Sequence, residues 1–171
     1  MKWKLRDGGY APNIAVSTAE KAAKEHGVPV GILLGTVECE TDFRLGLVSS
    51  AGAVGPCQFF PKYAEDYYRY AGFEFDLEGW ESITGMAAIY AYYYRLGEGR
   101  YDFTGADGWR YALLSHRYGQ NSKRAKELDC SVDRIKDVES MMRANGVWYG
   151  AEDAEDTKED ESMLDPKDFP K

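Results

Sequence analysis

Three side chains stand out for their type and position. Val37-Glu38-Cys39-Glu40-Thr41-Asp42-Phe43 places two glutamates at the end of an otherwise apolar helix. Gln58, eighteen residues beyond Glu40, closes the run Ser49-Ser50-Ala51-Gly52-Ala53-Val54-Gly55-Pro56-Cys57-Gln58. A carboxylate at the end of an apolar helix loses hydration. That favours its neutral form and fits it to give a proton near neutral pH. Periodicity does not choose between the two acids. With the stripe centred near Val30 and Val37, Glu38 and Glu40 fall about equally far to either side at roughly 100° per residue. Each is equally well read as a solvated charge beside a turn. Gln58 offers both a donor and an acceptor to a polar ligand. Gly52 and Gly55 carry no side chain and let main chain approach a bulky group. Ser49 and Ser50 either bind a ligand or close turns. Phe43, Phe59 and Phe60 are an apolar wall for the acid, ordinary core, or both. The two histidines, His26 and His116, belong to no cluster with ligand spacing, so neither a metal nor another cofactor is implied.

The elements that must hold these groups are helical. Ser17-Thr18-Ala19-Glu20 reads as a capping box, and its helix should stop at His26-Gly27. Pro29 suits the first turn of the next helix, where Val30, Leu33, Leu34 and Val37 share a face. Gly31 and Gly35 in that helix make sense if a neighbour packs closely against them. Glycines, serines and Pro56 across 43–58 mean turns or a small irregular hairpin. Further helices are expected after Pro61 as far as Gly72, from Ser82 to Leu96, from Asp107 to Tyr118, and from Ser131 to Asn145-Gly146. Tyr90, Tyr93 and Tyr94 are neighbours on one of them. By position Tyr90 is either a cleft residue or the edge of a core. The fold class is therefore all-α, with at most a small irregular hairpin around 46–58. Residues 1–13 read as an arm, 14–150 as the folded domain, and 151–171 as an acidic, disordered tail.

Composition excludes several classes. At 171 residues, 44% hydrophobic and 29% charged, the chain suits one globular domain. Nine acids against three lysines in 151–171 account for most of the net charge of −8. The remainder is nearly neutral, without the basic footprint of a nucleic-acid binder. No apolar run is long enough to span a bilayer, and no secretory signal is visible at the start. Three cysteines, Cys39, Cys57 and Cys130, are too few for a disulfide scaffold, so free thiols are expected.

The motifs carry a resemblance. Glu40-Thr41-Asp42-Phe43 is similar to the Glu-Ser-x-Phe motif of soluble lytic transglycosylases, relatives of goose-type lysozyme. Ser49 to Gln58 is similar to that family's Ser-Ser-x-Gly-Ala-x-Gly-Leu-Met-Gln, and Pro61 matches its Gln-x-x-Pro. The clear similarity covers roughly residues 30–61 and weakens towards Gly119. It implies a lysozyme-like fold and selects Glu40 as the catalytic acid. Ser49, Ser50, Gln58, Tyr90, His116 and Tyr118 are then expected to bind substrate. The implied activity is cleavage of the β-1,4 bond between N-acetylmuramic acid and N-acetylglucosamine in peptidoglycan glycan strands. One glutamate serves first as acid and then as base, and the product is a 1,6-anhydro sugar. A hydrolytic lysozyme needs a second carboxylate; Asp76, Asp102 and Asp107 are available, and nothing singles one out. The rival class is a non-catalytic wall-binding or virion structural module on the same scaffold. Without a leader, action on the wall calls for a virion or a holin-type permeabilising partner.

The chain departs from that pattern at three places. Thr41 replaces serine but keeps the hydroxyl, and Pro56-Cys57 replaces Leu-Met. The family's Ala-x-x-Tyr-Asn-x-Gly aligns with Ala112 to Gly119 so that His116 stands at the tyrosine and Arg117 at the asparagine. Either His116 hydrogen-bonds Glu40 or it is a surface histidine, and Tyr118 or Tyr111 is the other substitute. Glu40→Gln is expected to abolish cleavage while leaving stability unchanged or slightly improved, because it removes the proton donor but keeps the shape.

Overall fold

Apolar residues recurring at helical spacing build seven α-helices among the described residues of the computed structural model, which are 1–150. The acidic tail at 151–171 lies outside them. The class is mainly helical. Among the described residues there are no strands, only isolated bridges, two of which (Val48 to Val54 and Val54 to Phe59) tie the glycine-rich segment into a small irregular turn.

Helix α1 (Asn13–His26) starts four residues before the expected capping box. Its buried face already includes Ala15 and Val16, so burial carries the helix back to Pro12. Ser17 and Thr18 lie inside it, both hydroxyls donating to Ile14 O, at 3.2 and 2.7 Å. It ends as expected at Gly27, φ 65°. Helix α2 (Val30–Thr41) is the axis of the molecule. Every residue from Gly31 to Glu38 is buried, so the helix is covered all round rather than along one stripe. A 3-10 turn, Pro61–Tyr63, leads into α3 (Ala64–Ala71). Helix α4 (Ser82–Tyr101) runs past the expected end at Leu96. Gly97 does not stop it, because its missing side chain makes room for the Tyr111 ring, 2.6 Å from where a Cβ would stand. Then come α5 (Gly105–Tyr118), the short unanticipated α6 (Lys123–Lys126), capped by Ser122, and α7 (Asp133–Ala144).

Helix α4 packs on α1, α3 and α5, while α2 packs on α1 and α7. The approach of α7 explains two glycines of α2. A Cβ on Gly31 would lie 2.8 Å from Met142 Cγ, and one on Gly35 would lie 3.0 Å from Val138 Cγ1. Residues 1–12 precede α1 as an arm, but one that enters the core. Trp3 is fully buried, and Lys4 exchanges hydrogen bonds with the Asn145 side chain just beyond α7 (2.7 and 3.0 Å). No helix among the described residues is long and apolar enough to cross a membrane.

Candidate functional site

The backbone around the two glutamates decides what each one does. Glu38 is buried and serves the arm. Trp3 Nε1 donates to its Oε2 at 2.9 Å, and Arg6 N donates to its Oε1 at 2.8 Å. The Arg6 guanidinium stands 3.5 Å away. A carboxylate satisfied in this way is a structural anchor. Glu40 leaves α2 on another side. Its Oε1 lies 2.9 Å from Arg134 Nη1 of α7, with the two side chains only 9% and 11% exposed. The contact is an ion pair off the hydrogen-bond axis, since Arg134 Nη1 is buried without a hydrogen-bond partner.

Past Glu40 the chain reverses sharply. Asp42 and Phe43 are both left-handed, at φ 50° and 59°, a region that ordinary L-residues seldom enter. The reversal returns Phe43 to the core and carries the chain into the glycine-rich segment. Thr41 Oγ1 lies 3.2 Å from both Val37 O and Pro56 O, so one hydroxyl joins the end of α2 to that segment. His116, near the end of α5, joins it from another side, with Nε2 3.2 Å from Cys57 O. A carbonyl only accepts, so the imidazole carries its proton on Nε2. The ring meets Phe59 and Tyr90 edge-on, each at 5.4 Å between centroids. Burial lowers the His116 pKa, while the nearby Glu40 charge opposes that shift. His116 thus feels the Glu40 charge, but its hydrogen bond goes to Cys57 O and not to the carboxylate. The reason is distance along the fold: the buried Cys57 turn lies within reach of Nε2.

The other expected site residues separate. Tyr90 is fully buried and its hydroxyl lies 2.9 Å from Thr36 Oγ1. It is a core residue behind the site and not a surface for ligand. Gln58, itself left-handed at φ 55°, spends its amide protons on Leu47 O and Gly55 O at 3.2 and 3.0 Å. Only its carbonyl side remains to serve a ligand. Ser49 closes a turn, its Oγ accepting from Ala53 N at 3.0 Å, and Ser50 is exposed on the same turn. Gly55 is spared a side chain by protein and not by ligand, because a Cβ there would stand 2.0 Å from Leu77 O. Tyr111 turns its hydroxyl to Gln120 O, 3.0 Å away. The cysteines are free, and burial raises Cys39 to about 11 and Cys57 to about 12. Among the described residues no three His, Cys, Asp or Glu side chains converge as a metal site requires.

Tyr118 belongs to a different feature, a pocket of about 480 Å³ next to the acid. Four arginines (Arg6, Arg117, Arg124, Arg134) and three aspartates (Asp129, Asp133, Asp137) line it, together with Cys39. Glu40 is not in this wall; Arg134 is, and it reaches Glu40. Arg134 is the partner of Glu40 that the sequence did not single out. A signal for it exists, since Arg134 precedes Val138 by four residues and Met141 by seven, on the face that α7 buries. A charge on a buried face calls for a buried partner of opposite sign.

No protein-family model and no curated protein sequence matches this chain.

Proposed function

We propose that the protein cleaves the β-1,4 bond between N-acetylmuramic acid and N-acetylglucosamine in peptidoglycan, as a lytic transglycosylase of lysozyme-like fold. One observation carries the reading. The three segments that resemble the transglycosylase motifs, the end of α2, the 49–58 segment and the end of α5, are joined by Thr41–Pro56, one residue on from Glu40, and by His116–Cys57. Glu40 protonates the glycosidic oxygen as the C1–O bond breaks, and the substrate's N-acetyl oxygen stabilises the cation. The carboxylate then takes the C6-hydroxyl proton as O6 closes on C1. Tethering of that hydroxyl to the reacting ring supplies the effective concentration that lets one group do both steps.

The state of the aspartates that the sequence offered as a second carboxylate, together with Asp42, supports the one-acid route. Asp42 is exposed and 3.9 Å from Arg6, Asp107 pairs with Arg110 at 3.0 Å, Asp76 accepts from Glu78 N, and Asp102 caps α4. None of these contacts is with Glu40. The second reading, a non-catalytic wall-binding or virion structural module, is favoured by Arg134 on Glu40, because an ion-paired carboxylate has no proton to give. Zymography on purified peptidoglycan, with mass analysis of the soluble products, separates the two. Anhydro-ended muropeptides support the transglycosylase, and reducing-end products alone make it a hydrolase. Wall binding with no soluble product leaves the module.

A further inference from the structure

Arg134 is shared by two features, and the sharing suggests a control on Glu40. Its guanidinium holds Glu40 at 2.9 Å, the residue is also part of the lining of the arginine-rich pocket, and its Nη1 is buried with no aligned hydrogen bond. A guanidinium whose contact with its carboxylate is off the hydrogen-bond axis can be taken by a ligand that offers a better fork. The pocket has the means to hold such a ligand. Arg117 and Arg124 flank the Tyr118 ring, at 6.0 and 4.7 Å from its centroid, and among the described residues neither forms an ion pair within 4 Å. By contrast Arg6 is committed to Glu38, Asp42 and Asp137. Helix α7 also begins in this wall, with no side chain capping it and Asp133 in its first turn. Three aspartates against four arginines leave a small positive excess, which suits a ligand with one negative charge.

We propose that the pocket takes a carboxylate borne by the glycan, and that this carboxylate competes with Glu40 for Arg134. Binding then frees Glu40 from its ion pair, so an acidic substituent on the strand is required before the acid can act. The inference rests on the reading of Glu40 as the acid. It makes Arg134 a positioning residue and makes the site selective against neutral N-acetylglucosamine polymers.

The test is ligand binding to the full chain, followed by NMR of the arginine side-chain N–H signals. The probes are N-acetylmuramic acid, its methyl ester, and N-acetylmuramoyl-L-alanine, whose carboxylate lies one residue further out. Both acids should bind in preference to the ester, and the tighter of the two identifies the carboxylate that the pocket takes. Because Glu40 is the competitor, Glu40→Gln should tighten acid binding, by about tenfold, and Arg134→Gln should weaken it by a similar factor. Arg124→Met, at an exposed side chain, should weaken it about threefold with the fold intact, which keeps the test valid should Arg134→Gln unfold. Equal affinity for acid and ester, no binding of either, or no tightening in Glu40→Gln overturns the proposal. This pattern without any wall cleavage by the wild type leaves the pocket standing and removes the transglycosylase reading instead.

Discussion

At the scale of single residues, two glutamates one turn-fraction apart have different partners, and their variants should differ accordingly. Glu38→Ala removes the acceptor of buried Trp3 Nε1 and of Arg6 N. It should cost about 3 kcal/mol of stability by denaturant unfolding, against near-neutrality if the arm were only draped on the surface. Glu40→Gln strands Arg134, and the ion pair revises the expectation of unchanged stability to a loss of about 1–3 kcal/mol. A pH dependence follows from the two histidines. Burial lowers both His26 and His116 below the ordinary 6.5, with Glu25 and Glu40 respectively opposing the shift. As pH falls through 6.5 the unfolded chain takes up protons before the folded one. Stability that is complete above that value therefore declines towards the lowered folded pKa values and then levels off. Between about pH 7 and about pH 5.5 the unfolding midpoint should fall, and His116→Gln, which cannot protonate, should remove part of the slope. An unchanged slope in that variant would place His116 in water.

At the scale of elements, the glycines of the 49–58 segment have unlike reasons. Gly55 at φ 72° lies against the Leu77–Glu78 backbone, which cannot retreat, whereas Gly52 at φ 92° faces open space. Gly52→Ala should cost only the conformational penalty of about 1–2 kcal/mol. Gly55→Ala should cost clearly more, lowering stability and any cleavage together; equal costs would contradict the packing. How much of this was legible in the sequence depends on the range of the cause. Helix ends at Gly27 and Gly72 could be read, because a left-handed cap is a local event. Close packing at Gly31 and Gly35 could be read as well, because poor helix formers in a buried helix need a reason. The start of α1 could not, because burial of Ala15 and Val16 outweighed the capping signal at Ser17. The extension of α4 past Gly97 was hidden for a similar reason, since it depends on a ring from α5. Within the site, the hydrogen bond of His116 to Cys57 O and the commitments of Gln58, Tyr90 and Gly55 were not legible. Each is set by a contact from a segment distant in sequence or by a turn whose closure no pattern encodes.

At the scale of the whole molecule, α2 is held by α1 and α4 on some sides and by α7 and the arm on others. The arm takes Glu38, and α7 takes Glu40 through Arg134. The two acids are thereby divided: Glu38 holds the arm, and Glu40 pairs with an arginine that also lines the charged pocket. The central claim is that Glu40 is the acid that breaks a glycosidic bond. Its most direct test is mass spectrometry of the soluble products released from purified peptidoglycan by the wild type, Glu40→Gln and Glu38→Gln, each confirmed as folded. The wild type should release 1,6-anhydro muropeptides, Glu40→Gln none, and Glu38→Gln most of the wild-type yield. Release of the same products by Glu40→Gln, or no soluble product from the wild type, would contradict the claim.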